Sequence, residues 1–177
     1  MVETWHAAAF RRLKAADITV VGYVPDAGLK NLIADCQADN GMRTVALTTE
    51  EEGVGLAAGA WLGGARSALL MQSSGVGNIV NTLASITQAC RFPLLVIATM
   101  RGDWGETNPW QVPMGQAVEP ILKTLGAIVY RVTDAAQADG AIEAALRMAY
   151  ASGEVAAVLI DQRVVGSKVF AGGDARG

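Results

Sequence analysis

The sequence predicts an α/β chain, a three-layer α/β/α doubly wound parallel sheet of about six strands. Apolar runs of strand length alternate with helix-length amphipathic stretches as far as residue 161. The strand-length runs are apolar on both faces and each is followed by a helical stretch, the pattern of a parallel sheet covered on both sides. At 177 residues the chain is long enough to enclose one core, so a single domain over 1–165 is expected, with a C-terminal tail over 166–177.

The elements follow in order. MVETWHAAAFRRLKAAD gives a helix ahead of the first strand, ITVVGYV (18–24). A helix over 26–38 leads to TVALTT (44–49), and one over 50–65 leads to SALLMQ (67–72). The next helix spans 75–90, before LLVIATM (94–100). Helices over 114–125 and 133–151 bracket AIVYRV (127–132), and AAVLID (156–161) is the last strand. The closing AGGDARG has the composition of a frayed tail.

Composition excludes several function classes. Fourteen Lys and Arg against seventeen Asp and Glu, with no basic run, argue against nucleic acid. Residues 67–90 carry no charge, yet ten of them are Ser, Thr, Asn or Gln, so they form a buried strand and helix and do not span a membrane. Cys36 and Cys90 are isolated and the N-terminal stretch has no secretory apolar core, which leads to the expectation of a reducing cytoplasm and no metal site. A hydrophobic fraction of 51% with only 18% charged residues leads to the expectation of a partner over some apolar surface.

In open α/β sheets ligands bind outside the carboxyl ends of the strands. Four loops lie there: GYVPDAG (22–28), TTEEEG (48–53), MQSSGVGN (71–78) and MRGDWGETNPWQVPMG (100–115). In the second, Thr49 with Glu52 forms a capping box, and carboxylates in a first turn complement the helix dipole. The helix that follows contains Gly53, Gly55 and Gly59, each costing about 1 kcal/mol relative to Ala. Something must therefore approach this helix closely. Glu50, Gly53, Ala57 and Ala60 share one face, so Glu50 can be pressed against a partner backbone or a flat ligand while Glu51 and Glu52 cap.

Rival chemistries fail on residue identity. Gly75-x-Gly77 opens like a dinucleotide fingerprint, but the third glycine position is Val80 and the next strand ends in Met100 and Arg101, not in a ribose-binding acid. There is no Walker lysine. His6 is the only histidine, so no Ser-His-Asp arrangement is available at the strand ends.

TTEEEGVGLAAGAWLGG, followed by MQSSGVGNIVNTLASITQACRFPLLVIATMRGDWGETNPWQVPMGQA, resembles the pyrimidine-binding half of thiamine-diphosphate-dependent 2-oxo acid decarboxylases. The likeness is nearest to sulfopyruvate decarboxylase alpha subunits and phosphonopyruvate decarboxylases and covers about residues 18–162. It implies a thiamine-diphosphate-binding fold in which Glu50 hydrogen-bonds the aminopyrimidine nitrogen of the cofactor. Pro25 would lie beside the cofactor, and Gly75, Gly77 and Asn78 would line the pyrimidine pocket. Gln72, Ser73, Arg101 and Gln111 would face the substrate, a 2-oxo acid. Family members usually carry His or Asn where this chain has Thr49, and phosphonopyruvate decarboxylases tend to have His at Gln111.

The Gly-Asp-Gly signature with a following Asn, which holds diphosphate and Mg2+ in this family, is not in the sequence. The resemblance therefore implies a hetero-oligomer in which a beta subunit supplies that half of the site. A module that keeps the fold without catalysing, and a carboligase using the same cofactor, remain open readings.

Overall fold

The computed structural model describes residues 3–166. The residues assigned to the tail, apart from Gly166, lie outside that range. Six strands form one wholly parallel sheet: β1 (Ile18–Tyr23), β2 (Arg43–Ala46), β3 (Arg66–Gln72), β4 (Leu94–Thr99), β5 (Ile128–Val132) and β6 (Val155–Ile160), in the order β2-β1-β3-β4-β6-β5. The expected doubly wound sheet is present.

Alternation along the central strands divides the core in two. Leu70, Ile97 and Val158 point to one face, where they pack with α1 (Trp5–Ala15), α2 (Lys30–Ala38) and α6 (Ala138–Tyr150) through Leu13, Leu32 and Ile142. Leu69, Val96 and Leu159 point to the other, against α3 (Glu50–Leu62), α4 (Gly75–Thr82) and α5 (Gln111–Thr124) through Val54, Ile79 and Leu122. Both faces of β4 and β6 are buried along their whole length, which explains their unbroken apolar runs. A short α7 (Gln162–Val165) follows β6.

The chain leaves β1 toward β2 on one side and leaves β3 toward β4 on the other. The switch point, where open sheets hold their ligands, is therefore the crevice between the carboxyl ends of β1 and β3.

Several boundaries differ from the sequence expectation; the helix expected over 133–151 begins at Ala138, after a 3-10 turn over Ala135–Gln137 that Asp134 caps. β2 ends at Ala46 instead of 49, because it is a half-covered edge strand. α2 starts at Lys30 instead of 26, since Asp26 turns the chain by accepting from the Gly28 amide at 2.8 Å. α5 starts three residues early, at Gln111, with Pro113 in the first turn where no amide hydrogen is required. The expected helix over 75–90 stops being α-helical at Thr82 and continues as a π-helical turn over Leu83–Gln88, within which the Thr87 hydroxyl donates to the Leu83 carbonyl.

The glycines of α3 separate into two kinds. A Cβ on Gly53 would lie 2.3 Å from Leu69 Cδ1, so the close approach there is made by the chain's own sheet. Around Gly55 and Gly59 nothing lies within 4 Å, and Leu62 one turn on is 75% exposed. Replacing Gly55 or Gly59 by Ala is expected to raise the stability of the isolated chain by up to about 1 kcal/mol each, through helix propensity alone. Gly53→Ala should give no such gain, because the methyl must displace a buried leucine. Urea unfolding of the three variants checks this, and a gain at Gly53 equal to the others would contradict the packing described.

Candidate active site

The amino-terminal turn of α3 assigns its carboxylates different tasks. Thr49, in extended conformation, accepts from the Glu51 amide at 3.2 Å. Glu52 folds back onto the Thr48 amide at 2.8 Å, one residue further out than the capping box expected from the sequence. Capping at this end is thus done by Thr49 and Glu52 without Glu50, which turns inward and is 8% exposed.

Glu50 lies against the start of α4. Asn78 Nδ2 donates to Glu50 Oε2 at 2.7 Å, and among the described residues no donor meets Oε1. A Cβ on Gly75 would stand 2.4 Å from that same Oε1, so only glycine admits the carboxylate here. Gly75 and Glu50 are each the first residue of their helix, and both positive helix ends favour the negative charge placed between them. Gly77 serves another contact: its missing Cβ would meet Met114 Sδ of α5 at 3.3 Å.

Across the switch point runs a second chain of polar groups. Gln72 Nε2, at the end of β3, donates to Asp26 Oδ1 at 2.9 Å. Asp26 Oδ2 accepts from Thr99 Oγ1 at the end of β4, also at 2.9 Å, and from Gly28 N. Ser74 Oγ in turn donates to Gln72 Oε1 at 2.9 Å instead of capping α4. Beside it, the Ser73 hydroxyl accepts from the Arg101 amide at 3.0 Å, which ties the glycine turn to the loop after β4.

That loop is organised by one buried carboxylate. Glu106, with a side chain 2% exposed, receives Arg101 Nε at 2.6 Å and Nη2 at 2.8 Å, the Asn108 amide at 3.0 Å and Gln162 Nε2 at 3.0 Å. The Arg101 guanidinium holds the Glu106 carboxyl down to about 2. Gln162 also accepts from the Trp104 amide, and the Trp104 ring lies 4.6 Å beneath the Arg163 guanidinium. Asp103 is held through Arg131, which also binds Asp161, and burial pushes the Asp103 carboxyl up. Where the loop returns to α5, a Cβ on Gly115 would fall 2.1 Å from the Arg101 carbonyl oxygen, so backbone lies on backbone there.

The structure thus brings together Glu50, Gly75 and Asn78 as one group, and Gln72, Ser73 and Arg101 as another. Pro25 is exposed and lines a groove of about 530 Å3 with Tyr23, Ile33 and Ala34 on the α2 flank. Gln111 is half-buried and lies backbone-first against Gly102. His6 is remote from the strand ends and meets Asp35 at 3.3 Å between α1 and α2.

A family model, the thiamine pyrophosphate enzyme N-terminal TPP binding domain, matches residues 4–116, which include β1 to β4, Glu50 and the glycine turn. The chain belongs to that family. Among curated relatives of this TPP-binding-domain chain, sulfopyruvate decarboxylase subunit alpha of Methanocaldococcus jannaschii is 39% identical over 124 residues, covering 70% of this chain and 73% of the relative. The protein of the same name from Methanothermobacter thermautotrophicus is 36% identical over 154 residues, 87% of this chain and 93% of that one. A solved structure of 2-oxoglutarate:ferredoxin oxidoreductase from Magnetococcus marinus superposes with a TM-score of 0.73 at 15% identity, covering 93% of this chain and 30% of its own. That last likeness concerns the fold.

Sequence reasoning singled out Glu50 but not Asp26, Glu106 or Gln162. A signal for Asp26 was present, because Pro-Asp-x-Gly is an Asx-turn pattern. No spacing rule marks Glu106 or Gln162, which meet across 56 residues of chain.

The depressed Glu106 carboxyl fixes a pH dependence. A carboxylate whose folded value lies below its ordinary 4.5 contributes stability above that value and loses it as pH falls toward about 2. Glu106→Gln is expected to cost about 2–3 kcal/mol at neutral pH, and the gap from wild type should narrow below about pH 4.5. Urea unfolding across that range measures it; a gap independent of pH would contradict the assignment.

Proposed function

We propose that this chain is the alpha subunit of a two-subunit thiamine-diphosphate-dependent decarboxylase that converts a 2-oxo acid, sulfopyruvate- or phosphonopyruvate-like, to an aldehyde and carbon dioxide. The observation that carries the reading is the buried Glu50, held by Asn78 against a bare Gly75, in a chain of the TPP-binding family. The kinship with proteins named sulfopyruvate decarboxylase subunit alpha supports the substrate class and the need for a partner.

The residues fit the pyrimidine ring of thiamine diphosphate. Glu50 Oε1 has no donor among the described residues, so it is the acceptor left for a protonated ring nitrogen. When bound, the cofactor supplies the electron sink for the carbon–carbon bond that breaks. Glu50 shares a proton with the ring nitrogen of the aminopyrimidine, and its burial strengthens that hydrogen bond. Asn78 fixes the carboxylate through Oε2 and so leaves Oε1 for the ring. Pro25, Gly75 and Gly77 border the cofactor, while Gln72, Ser73, Arg101 and Gln111 border the substrate. Arg101 enters this role with two of its nitrogens already given to Glu106, so its charge toward a sulfonate or phosphonate is partly neutralised.

Diphosphate and Mg2+ fall to the beta subunit, because the signature that holds them in the resembling enzymes is not in these 177 residues. Gly55, Gly59 and the exposed Leu62 on the outer side of α3 support a seat for that partner. No helix among the described residues is long and apolar enough to cross a membrane, and a cytoplasmic location is part of the proposal.

Glu50→Gln, co-expressed with the partner subunit, is expected to lower carbon dioxide release from sulfopyruvate by roughly a hundredfold or more. The thermal midpoint of the chain should fall modestly, because the amide is isosteric and can still accept from Asn78 but no longer answers the two helix ends. Turnover within a few-fold of wild type would sink the role of Glu50. A wild-type complex that binds thiamine diphosphate without releasing carbon dioxide would favour the non-catalytic module.

A further inference from the structure

Asp26 belongs to no role considered so far. It stands at the switch point and joins three separate strand ends: its own after β1, Gln72 at the end of β3 and Thr99 at the end of β4. Each of these segments carries a residue assigned to the cofactor or substrate. Pro25 precedes Asp26, Ser73 follows Gln72, and Arg101 lies two residues beyond Thr99. The loops after β3 and β4 are also joined through Ser73, whose amide donates to the Thr99 carbonyl and whose hydroxyl accepts from the Arg101 amide; Asp26 is the acceptor-only group that adds the loop after β1 to them by side-chain hydrogen bonds.

The arrangement is tight. A Cβ on Gly28 would meet Asp26 Oδ2 at 3.0 Å and Thr99 Cβ at 3.1 Å, so the turn around the carboxylate has no spare room. Beside it, Asp26, Gly28, Thr99 and Arg101 line a small cavity of about 90 Å3. Because a carboxylate can only accept, Gln72 must turn its amide nitrogen toward Asp26 and its oxygen toward Ser74, whose hydroxyl then donates inward. The orientation of the Gln72 side chain at the crevice floor is thus dictated from Asp26.

We propose that Asp26 is the positioning residue for the substrate side of this site, registering the Pro25, Gln72 and Arg101 segments against one another for the 2-oxo acid. This rests on the decarboxylase reading above, in which Gln72, Ser73 and Arg101 border the substrate and Glu50 serves the cofactor. Asp26 has no hydrogen bond to Glu50, Gly75 or Asn78 among the described residues, so of the cofactor-side residues only Pro25 lies on a segment that it holds, and its replacement should weaken substrate handling more than cofactor handling.

The test compares Asp26→Ala with Asp26→Asn in the full chain and in its complex with the partner subunit. The amide variant can keep all three contacts if Gln72 turns over, whereas alanine loses them. In Asp26→Ala, hydrogen exchange at Ser73, Ser74, Arg101 and Gly102 should accelerate by about tenfold or more, and kcat/KM for sulfopyruvate should fall roughly tenfold to a hundredfold, mainly through KM. Half-saturation by thiamine diphosphate should shift less than KM does, by no more than about threefold through Pro25, and Asp26→Asn should restore both exchange and KM to within about threefold. Unchanged exchange in Asp26→Ala, or a loss falling equally on cofactor binding, would overturn the positioning role. Accelerated exchange in a system whose wild-type complex releases no carbon dioxide would overturn the decarboxylase reading and leave the registration of the three segments by Asp26 standing.

Discussion

The site depends on the contact between a carboxylate and a glycine. Glu50 can be buried at the start of α3 only because Gly75, at the start of α4, has no side chain where the carboxylate lies. Two helix ends of the same polarity are brought together, an arrangement that would repel without a negative charge between them. The carboxylate is thus a structural counter-charge and, on the proposed reading, a chemical group at once, and Asn78 settles which of its oxygens remains available. A methyl at residue 75 would drive the acid outward and remove both functions.

The remaining strand-end loops follow the same principle on a larger scale. Asp26 and Glu106 are acceptors around which otherwise unrelated segments converge. Positive charge on this face is largely answered within the chain: Arg101 by Glu106, Arg131 by Asp103 and Asp161, and Arg163 by Asp161. On the proposed reading, an anionic substrate would meet oriented dipoles and partly neutralised guanidinium groups in place of a bare cationic patch.

The sheet was legible because its strands obey a simple rule: buried on both faces, they are apolar throughout, as in β4 and β6. The edge strand β2 was overextended because half-covered residues carry a weaker pattern, and the starts of α2 and α5 were set by turns involving Asp26 and by loop packing on Gly115, which periodicity does not encode. The π-helical turn in 83–88 changes backbone hydrogen bonding without altering residue type. Glu50 could be found because its helix pays an evident propensity penalty in glycine. Glu106 and Gln162 could not, since their contact joins distant parts of the chain and leaves no local trace.

Two indole rings, Trp104 and Trp110, stand 57% and 72% exposed on the loop that Glu106 organises. Trp104 also lies beneath a guanidinium group, while Trp5 sits buried on the far side of the sheet and Trp61 on the outer helix. The chain therefore carries its own optical probes on the loop after β4, at the carboxyl-end face of the sheet. A subunit or ligand that covers this rim would change their polarity and quenching, so closure can be followed by intrinsic emission without attaching a dye.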